Sequence, residues 1–229
     1  MKVPFLDLQA QYQTIKQEVD AAMKHVLDTS HYVGGPAVEQ FEKGFAAFTG
    51  SEHCIGLNSG TAALALLMQA NGIGPGDEVI TVANSFFASA QAISEIGATP
   101  VLVDCREDDA LMDASQIEAT ITANTKAILP VHLYGQPADM DAINAIAEAH
   151  ELLVFEDACQ AHGATYKGRP AGSLADGAAF SFYPGKNLCA YGDAGAVTTN
   201  DEVDATTIRM LREHGSAVKY EHELIGWNE

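Results

Sequence analysis

The segment SFYPGKNLCAYGDAGAV (181–197) sets a lysine, Lys186, in a glycine-studded turn directly after a short apolar run. An amine in such a turn has two chemistries open to it. Kept near its neutral form by desolvation at an enclosed sheet edge, it condenses with an aldehyde as a Schiff base; left charged, it binds phosphate or snorkels to solvent. EDACQAHG (156–163) follows another apolar run and carries Asp157 and Gln160 three residues apart, on one face of any helix that begins there. A strand-end Asp also serves as a plain helix cap, so the pair alone leaves both roles open. NSGT (58–61) offers small and hydroxyl residues where a helix would open; free amides and the positive dipole end make that a seat for phosphate, or simply a capped helix. ANSFFAS (83–89) brings Phe86 and Phe87 to the end of a further run, where one ring can stack on a flat ligand or fill the core.

These residues need elements to carry them. Leu8, Tyr12, Ile15, Val19, Ala22 and Val26 step by three and four, which predicts an amphipathic helix, and Pro36, Val38, Phe41, Phe45 and Phe48 predict a second. Both apolar faces are expected to pack. Beyond Gly50 the pattern becomes seven short apolar runs: HCIGL (53–57), EVITV (78–82), PVLVD (100–104), AILPV (127–131), LLVFE (152–156), AAFSF (178–182) and AGAVTT (194–199). Helix-like stretches at 61–70, 86–96, 115–122 and 139–150 separate most of them. Such alternation predicts an α/β protein, three layers deep, with a mostly parallel seven-stranded sheet covered on both faces. The last two runs have no obvious helix between them, so one strand there is expected to be antiparallel. No repeat or linker interrupts residues 1–229, which read as one domain.

Bulk composition narrows the partners. The chain is 47% hydrophobic and 19% charged, as an ordinary globular protein is, and 12 Lys plus Arg against 31 Asp plus Glu leave a formal charge of −19. That charge repels phosphate backbones and anionic lipid, so neither nucleic acid nor membrane is an expected partner. No stretch reaches the roughly 18 apolar residues of a membrane span, and the start lacks the pattern of a cleaved signal. Cys54, Cys105, Cys159 and Cys189 form no CxxC pair, which argues against zinc or a disulfide framework and for a reducing cytoplasm. GIGPGD (72–77) leads into a strand rather than out of one, so it is a turn and not a dinucleotide fingerprint. HELLV at His150 and HELIG at His222 lack the second histidine of a zinc helix, and neither GxxxxGK[ST] nor GxSxG occurs.

In open α/β sheets ligands bind beyond the carboxyl ends of the strands. The phosphate seat, the aromatic ring, the carboxylate, the amide and the lysine all follow runs assigned to that edge. Together they meet the needs of pyridoxal phosphate: the carboxylate keeps the pyridine nitrogen protonated, and the lysine holds the aldehyde.

The residues also carry a resemblance. VPFLDL (3–8), GPAVEQFE (35–42), NSGTAAL (58–64), GIGPGDEVI (72–80), PVHLYGQPADMD (130–141), EDACQAHGA (156–164), FSFYPGKNLCAYGDAGAV (180–197) and KYEHELIGWN (219–228) follow in order the motifs of the DegT/DnrJ/StrS family of sugar aminotransferases. The resemblance spans essentially the whole chain and implies an aspartate-aminotransferase-like large domain (fold type I). It is nearest to the branch acting on nucleotide-linked 3-keto-6-deoxy sugars. It implies that Lys186 anchors pyridoxal 5'-phosphate covalently, Asp157 pairs with the pyridinium nitrogen and Gln160 faces the ring hydroxyl. Gly60, Thr61 and Ser181 would hold the phosphate, Phe86 would stack on the ring, and Asn228 would reach the phosphate bound to a neighbouring subunit, making a homodimer with shared sites. Glutamate would be the amino donor and a nucleotide-linked keto sugar the acceptor. A sister branch of dehydratases carries histidine at the anchor position, so Lys186 favours amino transfer.

Three features depart from the family pattern. Cys159 and Ala194 stand where alanine and glycine are common, and the chain stops at Glu229, where members continue into a small C-terminal domain that helps close the site. The cations left to meet an anionic substrate are few: Arg209, Arg212 and Lys219 near the end. A homologue that keeps the fold for dimerisation or regulation without turnover is the alternative this raises.

Overall fold

The protein is described by a computed structural model covering residues 3–218 and 220–229. Lys219, one of the three cations singled out above, lies outside the described residues.

The elements run α1 (Leu8–Thr29), α2 (Gly35–Thr49), β1 (His53–Leu57), α3 (Gly60–Ala70), β2 (Glu78–Val82), α4 (Ala88–Glu95), β3 (Thr99–Val103) and β4 (Thr125–Leu129). They continue with α5 (Met140–His150), β5 (Leu153–Asp157), a hairpin of β6 (Thr165–Tyr166) and β7 (Arg169–Pro170), β8 (Gly177–Ser181), β9 (Gly195–Thr199), α6 (Glu202–Arg212) and a hairpin of β10 (Ser216–Val218) and β11 (Glu221–His222). All seven predicted runs are strands of one sheet, ordered β1-β9-β8-β5-β4-β2-β3. The pairs from β8 to β3 are parallel, whereas β9 is antiparallel to both β8 and β1. The cause is the connection. Residues 182–194 form no helix, and without a crossover the chain can only turn back beside β8.

The sheet is buried on both faces except along the edge strand β3, where Leu102 stays exposed, and side chains alternate between the faces as the strand pleat requires. Ile55, Leu57, Val79, Phe155, Ala179 and Val197 share one core with α3, α4 and α6; Ala178, Phe180 and Ala196 point the other way, into a second core with Phe45 of α2. Ile80, Val82, Ile128 and Val154 meet Ile143 of α5 in a third. α3 is buried continuously from Ala63 to Met68, as expected of a helix apolar all round.

Two expectations need correction. The stretch 115–122 is not an α-helix but two 3-10 turns, Ala114–Gln116 and Glu118–Thr120. Asp113 accepts hydrogen bonds from both the amide and the hydroxyl of Ser115, a tight local turn that competes with the helical ladder. α1 is the larger surprise. No residue of it is buried within this chain, and Leu27 stays 64% exposed. Periodicity shows that a face is apolar; it does not say what covers it.

Candidate active site

β9 runs against its neighbours, so its first residues lie at the same edge as the last residues of β1, β2, β5 and β8. A cavity of about 380 Å³ opens at this edge. Its wall includes Gly60, Thr61, Phe86, Asp157, Gln160, Ser181 and Lys186, seven of the eight predicted site residues. Asn228 is not among them. It is exposed and forms a bridge with Glu213.

Each side chain has a local reason to be there. Ser59 caps α3 from an extended conformation, its hydroxyl accepting the Ala62 amide at 3.1 Å. The amides of Gly60 and Thr61 therefore open the helix with no carbonyl one turn earlier to receive them. A Cβ at Gly60 would come within 2.6 Å of Ser181 Cβ and 2.9 Å of Cys159 Sγ. Only glycine lets the helix start press against β8 and the loop after β5. At Gly195 a Cβ would fall 2.1 Å from the Ser59 carbonyl oxygen, so β9 meets the same turn backbone to backbone. Lys186 hangs in a turn closed by its own amide donating to the Tyr183 carbonyl (2.8 Å), and the loop base is tied by Ala190 N–H to the Phe182 carbonyl (2.7 Å).

Asp157 ends β5 and is 5% exposed. One carboxylate oxygen accepts the Ser89 hydroxyl at 2.7 Å and the other accepts the Cys159 amide at 3.2 Å. Neither donor is charged. A buried carboxylate held only by neutral donors is costly unless a cation joins it, and the cavity beside it has room for one. Gln160 is oriented from outside the motif: its side-chain oxygen accepts the Tyr134 amide at 2.8 Å, which turns its NH2 group into the donor left for the cavity. Tyr134 holds that geometry with a left-handed backbone, φ 57°, uncommon for a residue with a Cβ. Phe86 lines the cavity and Phe87 does not, so the structure distinguishes the two rings. The Cys159 thiol is pushed well above its usual pKa, first by burial and then by the Asp157 charge, so it faces the cavity protonated.

These features fit pyridoxal phosphate. Uncommitted helix amides suit its phosphate, a buried anion suits its protonated ring nitrogen, and an amide donor suits its hydroxyl. Sequence reasoning missed Ser85, Ser89 and Tyr134. The signal for the serines is present in ANSFFAS, where they stand four apart just beyond a strand end. Neither Arg209 nor Arg212 lines the cavity. Arg212 is instead bound internally, 2.8 Å from Glu42 and 2.9 Å from the Gly56 carbonyl oxygen.

Comparison with known proteins identifies the family. A family model described as the DegT/DnrJ/EryC1/StrS aminotransferase family matches residues 13–229. The dTDP-3-amino-3,4,6-trideoxy-alpha-D-glucose transaminase of Streptomyces venezuelae is 52% identical over 99% of this chain and 60% of its own length. Among solved structures, S. venezuelae DesV superposes with a TM-score of 0.97 at 52% identity, covering 98% of this chain and 61% of that one. NtdA from Bacillus subtilis, solved with bound cofactor PMP, gives 0.93 at 38% identity, covering 99% and 52%. The chain thus spans about 60% or less of the length of these relatives. With a matching family pattern over nearly its whole length, and with the motif residues gathered at one sheet edge, this chain belongs to the DegT/DnrJ/EryC1/StrS aminotransferase family of fold type I pyridoxal-phosphate enzymes.

Proposed function

We propose that the chain is the cofactor-binding part of an aminotransferase that moves an amino group from glutamate to a nucleotide-linked keto sugar, of the dTDP-3-keto-6-deoxyhexose class, in aminosugar biosynthesis. The observation that carries this reading is the buried Asp157 carboxylate, whose hydrogen-bond donors among the described residues, the Ser89 hydroxyl and the Cys159 amide, are neutral, facing the same cavity as Lys186 and the open amides of α3. Bound pyridoxal phosphate supplies an electron sink for the carbon that loses its proton. The protein's residues do the rest. Asp157 holds the ring nitrogen charged, Gln160 donates to the ring hydroxyl, and Phe86 covers one face. The Gly60 and Thr61 amides and the Ser181 hydroxyl seat the phosphate.

Lys186 has two tasks in this reading. Its Nζ would hold the cofactor at its aldehyde, and the same amine, when free, would carry the proton to and from the substrate carbon. Asn228, exposed and outside its own cavity, suits a role at the site of a second subunit, which supports a homodimer with shared sites. The four cysteines are free, in keeping with a cytoplasmic setting.

The test is spectroscopic. Purified protein titrated with pyridoxal phosphate is expected to gain a visible absorption band, which Lys186→Ala abolishes and which L-glutamate bleaches. Borohydride reduction followed by peptide mapping should place the pyridoxyl label on Lys186. Absence of the band in the unaltered protein, or a label on another residue, refutes the reading.

A further inference from the structure

Asp157 and Gln160 need to hold fixed directions for the function proposed above, and one residue that holds Asp157 lies 68 positions earlier in the chain. Ser89, in the first turn of α4, is 2% exposed and places its hydroxyl 2.7 Å from Asp157 Oδ2. An ionised carboxylate only accepts, so the single Ser89 proton is committed to Asp157. The Ser85 hydroxyl lies 2.7 Å from Ser89 Oγ, whose only remaining role is acceptor. Ser85 must therefore donate to Ser89. The three groups form a one-way chain, Ser85 O–H to Ser89 O–H to Asp157, and each link polarises the next. On its other oxygen the carboxylate receives the Cys159 amide, so its plane is fixed from both sides where it lines the cavity.

From this geometry we infer that Ser89, backed by Ser85, is the positioning residue for Asp157: it fixes the carboxylate in the orientation that receives a cationic ring nitrogen. The inference rests on the cofactor reading above. Ser89 acts through Asp157 rather than by donating to the cofactor, since its one proton is already committed to the carboxylate and one of its two lone pairs accepts from Ser85. α4 has this task because its start, at the end of β2, lies across the edge from the end of β5, with β4 between them in the sheet.

The experiment measures the dissociation constant of pyridoxal phosphate from the visible band, with thermal unfolding of each apo variant as a check on folding. Hydrogen bonds to charged groups lead to an expected weakening of about tenfold or more for Ser89→Ala, and of about threefold for Ser85→Ala. Two double-mutant cycles separate positioning from packing. Ser89→Ala is expected to cost no more than about twofold when Asp157 is already Asn, and Ser85→Ala to cost nothing further when Ser89 is already Ala. Equal costs in both backgrounds would mean that the serines act independently of the carboxylate, and the inference falls. Unchanged affinity in Ser89→Ala overturns it too while leaving the cofactor reading intact. No band in the unaltered protein removes both.

Discussion

His162 sits five residues past the strand-end carboxylate, its ring packed among Phe45, Phe180 and Phe182 at centroid separations of 6.4, 5.4 and 5.2 Å. Both ring nitrogens are shielded from water. Burial lowers its pKa from 6.5 to about 4, and the Lys186 ammonium pushes it the same way. The unfolded chain takes up a proton here as the pH falls below 6.5, while the folded ring stays neutral until about 4. This site's contribution is therefore whole above 6.5 and is lost as the pH drops toward 4. Allowing for the partly wetted ring edge, the loss is about 2 kcal/mol. His162→Leu, which keeps an apolar group in the cage, should remove that part of the slope. Melting temperatures between pH 4.5 and 7 check it: parallel curves for the two proteins would assign the acid sensitivity to other groups.

The elements that present the site are themselves tied together below it. Glu156, one residue before Asp157 and fully buried, accepts His132 Nε2 at 2.9 Å and the Gly172 amide at 2.8 Å on one oxygen, and the Leu174 amide at 2.8 Å on the other. His132 Nδ1 accepts the Ala138 amide (3.2 Å), which assigns the proton to Nε2. The end of β5, the loop after β4 and the turn at 172–174 thus share one carboxylate. Glu156→Gln keeps the shape but sets its NH2 against at least one of these donors, with an expected loss of about 2–3 kcal/mol. Chemical denaturation measures this directly; a variant as stable as the original would mean that the network contributes little. The turn has no slack to absorb the change, because Gly172 has φ +101° and a Cβ there would lie 2.8 Å from the Phe180 ring.

Over the whole molecule two forces oppose each other. The formal charge of −19 disfavours bringing two copies together, whereas the uncovered face of α1, including Ala22, Met23, Val26 and Leu27, favours burial. The proposed homodimer therefore should tighten as salt screens the repulsion, and the double change Met23→Ser with Leu27→Ser should shift it toward monomer. Sedimentation at 20 and 200 mM salt reads both effects. An oligomeric state indifferent to these substitutions would exclude the α1 face from the interface.

Much of this molecule was legible from local pattern. The seven strands, the antiparallel return after β8 and seven of the cavity's residues follow from runs of apolar residues and from what stands just beyond each run, because period and strand-end position are short-range properties of the chain. The surroundings of those residues were not legible. Ser89 meets Asp157, Tyr134 turns Gln160, and Arg212 binds Glu42 rather than standing free for substrate. Those partners become neighbours only through the strand order β5-β4-β2 and the packing of α6 on β1. The helix missing at 115–122 has a local cause, the Asp113–Ser115 turn, but the bare face of α1 is of this second kind. Amphipathic spacing states a demand for burial, and only the tertiary structure decides whether the chain itself meets it.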